Sequence, residues 1–192
     1  MTSNSFNPLT IIQKYFDPAG PAYRVLVVHS VLVAAKALAL ARAYQRRHPE
    51  AALDLTFIEQ AAWLHDIGIL RCHAPKIHCH GSEPYIRHTI IGREILEQEG
   101  LPAHALVCER HTGAGLTAAE VMQQKLPLPV RDYLPLSLEE KIICLADRFY
   151  VKPEAMLYQE LTPAEIKEKL AKHGPAVLAR WQELCDLFLP EA

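Results

Sequence analysis

Three observations predict an all-α fold. Alternating runs of β-branched residues are scarce. Prolines and glycines fall between periodic segments rather than inside them. A Ser or Thr followed three residues later by Glu recurs at Thr56 and Glu59, Thr117 and Glu120, Ser137 and Glu140, and Thr162 and Glu165. At that spacing each side chain can satisfy a free amide of a first helical turn.

The elements follow in chain order. A short helix is expected over Leu9 to Phe16, ended by Asp17-Pro18-Ala19-Gly20-Pro21. A long one should run from about Ala22 to Arg47 and stop before Pro49. The third opens near Thr56, aligns Ile58, Ala61, Ala62 and His65 on one face, and takes Gly68 as its terminator. From Leu70 to Pro84 the chain reads as irregular. Tyr85 to Glu99 is the next helix, closed by Gly100. Pro102 suits the first turn of a helix that ends near Gly113. Thr117 opens a short helix, and the three prolines between Leu126 and Pro135 mark a loop. Ser137 opens a helix that carries Ile142, Ile143, Leu145, Ala146, Asp147 and Phe149. Thr162-Pro163-Ala164-Glu165 starts another, and the last covers about Pro175 to Leu189.

At 192 residues the chain suits one domain. Its core is expected over about 22–150, with 151–192 as a helical extension that serves as a lid on the core or a homodimer surface. Apolar residues make up 50% and charged residues 22%, which excludes disorder as the main reading. The formal net charge of −2 lacks the basic footprint of a general nucleic-acid binder. Met1 to Pro8 is polar and has no leader pattern. The five cysteines form no C-x-x-C pair, so free thiols in a reducing cytoplasm are expected. Val25 to Ala41 is apolar, but His29, Ser30 and Lys36 interrupt it. It falls short of the ~18 uninterrupted apolar residues of a membrane span and reads as a central buried helix.

Ten histidines are many for this length. His65-Asp66 closes the apolar run Ala61-Ala62-Trp63-Leu64, and Asp147 closes Ile142-Ile143-Cys144-Leu145-Ala146. His29 lies mid-way along the most apolar helix, and His88 and His111 sit among aliphatic residues. Singly, each reads as a satisfied core group. Together, four imidazoles and two carboxylates placed where charge is costly point to a shared ligand, and a metal ion takes both donor types.

His29, His65-Asp66 and Asp147 resemble the H…HD…D signature of the HD-domain phosphohydrolase superfamily. His65-Asp66-Ile67-Gly68 matches its HDIG variant. Ile91-Gly92-Arg93-Glu94-Ile95-Leu96, Glu109-Arg110-His111-Thr112-Gly113-Ala114-Gly115 and Leu138 to Asp147 are similar to a small HDIG branch of bacteria and archaea. The likeness spans about residues 25–150.

The resemblance implies a phosphodiesterase-like helical bundle around a metal centre. His29, His65, Asp66 and Asp147 would hold a first divalent ion. His88 and His111 match the extra histidines of dinuclear members, such as HD-GYP phosphodiesterases and HD-type diadenosine tetraphosphate hydrolases, with Asp66 as bridge. The expected chemistry is metal-assisted hydrolysis of a phosphoester or phosphoanhydride, in which Asp66 orients the attacking water or accepts its proton. Imidazole and carboxylate ligation suits Mn, Fe, Co, Ni or Zn, with Mg less favoured. The substrate expected is a nucleotide or another small phosphorylated metabolite. A non-catalytic HD domain that senses a nucleotide or holds a partner, and an HD-fold di-iron oxygenase, are the alternatives.

The pattern departs from the family at two points. Ile69 stands where many HDIG members carry a lysine, and the GYP signature is absent after His111. Other cations could meet an anionic substrate: Arg71 and Lys76 in the following loop, and Arg110 and Arg148 beside expected ligands. Arg110 and Arg148 read equally as structural ion pairs. The loop Cys72 to His80 holds three His and two Cys, a weak zinc pattern whose spacing matches no common module. It reads instead as bordering the active site, with His80 or Glu83 as proton donor to the leaving group. Beyond Val151 no site is recognisable.

Overall fold

A computed structural model describes residues 6–189. The polar stretch considered above for a leader lies outside the described residues as far as Ser5. The helices are α1 (Pro8–Tyr15), α2 (Pro21–Arg47), α3 (Leu55–Leu64), α4 (His88–Gln98), α5 (Pro102–Arg110), α6 (Ala118–Gln123), α7 (Leu138–Asp147), α8 (Pro163–Ala171) and α9 (Pro175–Phe188). The fold is all-α. Its one small sheet among the described residues pairs β1 (His73–Ala74) with β2 (Cys79–His80).

The 27-residue α2 is about 40 Å long and threads the domain. It is long and apolar enough to cross a membrane by composition, yet half of its most apolar window is buried against the rest of the protein. α3 and α7 pack on its flanks, α4 packs on α5, and α9 packs on α7 and α2. Two large apolar clusters result, beside a small one around Ile90, Val121, Leu128 and Tyr133. One joins Val33, Ala37 and Leu40 of α2 to Ile58, Ile142, Leu145 and Trp181. The other joins Val25 and Leu26 of α2 to Leu64, Ile67, Ile95 and Cys108. His29 falls between the two sets along α2, so the seam between the cores is where a polar cluster can lie.

Several helix starts are as the sequence reads. Thr117 and Glu120, and Thr162 and Glu165, form complete capping boxes. Two are corrected. The cap of α3 is Asp54, whose carboxylate accepts from the Phe57 amide at 2.9 Å, so the helix begins at Leu55 rather than after Thr56. A carboxylate is also favoured there by the helix dipole. At α7 Ser137 accepts from the Glu140 amide, but the Glu140 side chain turns to Arg110 and to the Leu136 amide instead of closing a box.

Gly68 does not end a helix. α3 stops at Leu64, and Ile67–Arg71 forms a 3-10 turn whose backbone lies on α4. A Cβ at Gly68 would stand 2.1 Å from the His88 carbonyl oxygen and 2.5 Å from the Gly92 nitrogen. The glycine is there for backbone contact, not for a left-handed turn. The 70–84 segment, expected to be irregular, contains the hairpin and a 3-10 turn at Pro75–Ile77. Its thiols face inward, whereas His73 and His80 are exposed.

Candidate metal centre

Helix ends deliver most of the polar cluster. His65 caps the C-terminus of α3, Asp66 begins the 3-10 turn, His88 starts α4, His111 caps α5, and Asp147 is the last residue of α7. Only His29 comes from a helix middle. The last carbonyls of a helical turn have no intrahelical partner, and three of the imidazoles use them. Nδ1 of His65 donates to Ala62 O at 2.7 Å, Nδ1 of His88 to Tyr85 O at 2.6 Å, and Nδ1 of His111 to Cys108 O at 2.8 Å. A carbonyl can only accept, so Nδ1 carries a proton in each, and Nε2 is the atom left to meet a ligand.

Those Nε2 atoms converge. In one group the His29 and His65 Nε2 atoms are 3.3 Å apart. His29 Nε2 is 3.0 Å from Asp147 Oδ1 and 3.2 Å from Asp66 Oδ2, and His65 Nε2 is 2.9 Å from Asp66 Oδ2. In the other group the His88 and His111 Nε2 atoms are 3.2 Å apart and lie 3.4 and 3.6 Å from Asp66 Oδ1. The six side chains are all buried. The structure thus brings together every residue the sequence marked as a ligand, in two groups that share Asp66.

The donor set fits divalent cations. Nitrogen and oxygen donor atoms face one another at contact distance inside an apolar seam, with four imidazoles and two carboxylates in two groups that could each hold an ion. Burying that many polar groups together is costly unless a shared partner draws on them. Burial alone would lower the His65 pKa, but the Asp66 and Asp147 carboxylates hold it up at about 9. Burial pushes His88 down to about 3, with Asp66 opposing only in part. Burial should raise both carboxylates, yet they lie well below the usual range. Lys152 and His65 hold Asp66 there, and Arg148 and Lys152 hold Asp147.

Lys152 is the residue that sequence reasoning missed. Its ammonium stands 2.5 Å from Asp66 Oδ2 with the side chain 12% exposed, and it is a hydrogen-bond partner of the Tyr85 hydroxyl. A lone lysine in an irregular segment carries no pattern that marks it. The reading that nothing beyond Val151 belongs to the site is corrected here.

A cleft of about 360 Å³ opens beside the cluster, with Lys76, Tyr85, Asp147, Arg148 and Lys152 on its polar walls. A second cavity of about 210 Å³ shares Arg148 and Leu170 with it and is bounded by the Thr112 to Gly115 backbone. Of the cations expected to meet substrate, Lys76 and Arg148 line the cleft. Arg110 is paired to both oxygens of Glu140 at 3.1 and 3.2 Å, and Arg71 is exposed and lines neither cavity. His80 is exposed opposite His73 in the hairpin, and Glu83 pairs with Arg87 at 2.6 Å. The structure brings neither to the cluster nor to the cleft wall. The Cys72 to His80 loop forms no group of three metal donors among the described residues.

The sequence model of the HD domain matches residues 26–151, a span that holds all six converging residues. An uncharacterized protein of Methanocaldococcus jannaschii is 33% identical over 153 residues, 79% of this chain and 81% of that protein. A tRNA (cytidine(56)-2'-O)-methyltransferase of Picrophilus torridus is 40% identical over 95 residues, 49% of this chain and 24% of the enzyme. Its namesake in Thermoplasma volcanium is 29% identical over 109 residues, 56% of this chain and 28% of the enzyme. The chain therefore spans about a quarter of each methyltransferase. No solved structure gives a significant match.

Proposed function

The chain belongs to the HD-domain family, and on that premise we propose that it is a metal-dependent phosphohydrolase with a dinuclear centre. Its substrate would be a phosphoester or phosphoanhydride of a nucleotide or another small phosphorylated metabolite. The observation that carries this reading is the split of Asp66, with Oδ2 facing His29 and His65 and Oδ1 facing His88 and His111. Two divalent ions held there would activate water near neutral pH and neutralise charge on a phosphate.

The protein's own groups supply the rest. Three backbone carbonyls fix the imidazole tautomers, so the donor atoms are set before a ligand arrives. Burial excludes bulk water and strengthens each electrostatic contact. Asp66 is the carboxylate placed to orient a water or take its proton, and Lys76, Arg148 and Lys152 line the route by which an anion enters. The mixed donor set favours Mn, Fe, Co, Ni or Zn over Mg. Free thiols at all five cysteines suit the cytoplasm. A match that spans about a quarter of the two methyltransferases does not carry their methyl transfer to this chain.

The test is metal content of the purified protein, followed by turnover on phosphomonoesters, phosphodiesters and dinucleoside polyphosphates with Mn or Co. The expected result is about two ions per chain, with turnover lost on chelation and restored by metal. Full turnover in a rigorously metal-free sample overturns the reading.

A further inference from the structure

Resting on that reading, we propose that the site is built for a terminal, dianionic phosphate, and that Lys152 and Arg148 are the residues that select it over a phosphodiester. The argument begins with charge. In the buried cluster Asp66 is paired to Lys152, and Asp147 to Arg148. The two carboxylates and the two cations balance one for one. Every positive charge that a bound divalent ion brings is then unmatched by the protein and is met by what binds in the cleft. A phosphomonoester carries close to two negative charges near neutral pH, and a diester carries one.

The cleft lining adds to the imbalance. Beyond the two cations already paired with Asp66 and Asp147, it holds Lys76 and Lys169 and no further acid. In a chain whose net charge is −2, that excess around one opening is a local feature and not a reflection of composition. Lys152 is the fixed member, because its side chain is 12% exposed and its ammonium is held between Asp66 and Tyr85. Arg148 stands at the wall shared by the two cavities, with a buried Nε that has no partner. A fork of donors there matches the oxygens of a terminal phosphate.

Space points the same way. At about 360 Å³ the cleft is near the lower end of small-molecule sites, ~300–1,000 Å³. Its lining also holds Ile77, Tyr150, Val151 and Leu161, apolar surface for an organic substituent. A diester carries two substituents on the phosphorus and would have to place both in the same small volume.

The experiment has a binding arm and a turnover arm, both on the full, metal-loaded chain. Calorimetry measures inorganic phosphate against dimethyl phosphate for the native protein, Lys152→Met and Lys152→Arg. The native protein is expected to favour phosphate at least tenfold, Lys152→Met to lose that preference, and Lys152→Arg to keep most of it. Turnover compares p-nitrophenyl phosphate with bis(p-nitrophenyl) phosphate. Lys152→Met should lower kcat/KM on the monoester at least tenfold more than on the diester, a difference of about 1.4 kcal/mol or more. Equal binding of the two probes by the native protein, or equal losses on the two esters in Lys152→Met, overturns the proposal. Phosphate preference without turnover on any ester leaves the selection standing and brings down the phosphohydrolase reading. Turnover that favours the diester does the reverse.

Discussion

Gly68→Ala is a small perturbation with a large expected reach. An added methyl at Gly68 would sit 2.1 Å from the His88 carbonyl oxygen and 2.5 Å from the Gly92 nitrogen, both of them backbone atoms that cannot turn aside. To reach an ordinary contact the 3-10 turn and α4 must part by about 1 Å. Overpacking of this kind costs about 1–3 kcal/mol, which for a domain of this size lowers Tm by about 2–12 °C. The function is affected as well, because the displaced residue is the one that carries His88. Its Nε2 is 3.2 Å from His111 Nε2 and 3.4 Å from Asp66 Oδ1, and a shift of about 1 Å removes it from a metal's reach, since metal sites need distances within about 0.2 Å. Thermal melts of the chelated protein read the first effect. Calorimetric titration with Mn or Zn reads the second, as a fall from two ions to one. A Gly68→Ala protein that melts within 1 °C of the native one and binds two ions as tightly would refute the reasoning.

Other consequences follow from the same geometry. In the metal-free protein His65 titrates at about 9 against an ordinary 6.5. Its contribution, about 3 kcal/mol at most, is fully present below pH 6.5 and is lost as pH rises through 9. His88, held down at about 3, and the two depressed carboxylates act in the other direction, and their contribution is lost as the solution is acidified. Denaturant unfolding of the chelated protein should therefore show greatest stability near pH 6.5, and a flat profile up to pH 9 would contradict this. Asp66→Asn should abolish both metal sites, whereas Asp147→Asn should spare the His88 and His111 group; metal stoichiometry distinguishes the two. Arg180→Ala removes donors to Ala114 O, Gly115 O and the Glu120 carboxylate. It should cost about 2 kcal/mol and increase amide exchange in the 112–116 loop, while Lys36→Ala, which removes the ion pair to Glu160, leaves that loop unchanged.

Four of the six converging residues were legible because each is polar where its neighbours are apolar, whereas His88 and His111, flanked by Arg87 and Thr89 and by Arg110 and Thr112, were marked by the family resemblance. His29 interrupts α2, and His65-Asp66 and Asp147 close runs of buried aliphatics. Helix limits were legible for a similar local reason, since Thr117 and Thr162 announce their caps within four residues. Gly68 was misjudged because its role is non-local. Nothing within its own turn shows that the His88 backbone will pass so close, and a glycine after an apolar run looks the same whether it ends a helix or admits another chain segment. Thr56 lost the cap of α3 to Asp54 because both spacings are allowed and the stronger acceptor lies two residues earlier.

The cations divide along the same line. A positive charge next to a ligand in sequence says little about the cleft, because neighbours on a helix do not share a face. Arg110 shows this, being drawn to Glu140 across to α7. Arg148 escapes the rule because α7 has ended, and as the capping residue it turns toward both cavities. Lys152 lies four residues further on, in chain with no periodicity to orient it, and it is placed only by the way the segment after α7 folds back over Asp66. Donors that must be buried declare themselves by the cost of burying them. The cations that meet a ligand are set by tertiary approach, so a sequence of this kind discloses its metal centre sooner than its substrate.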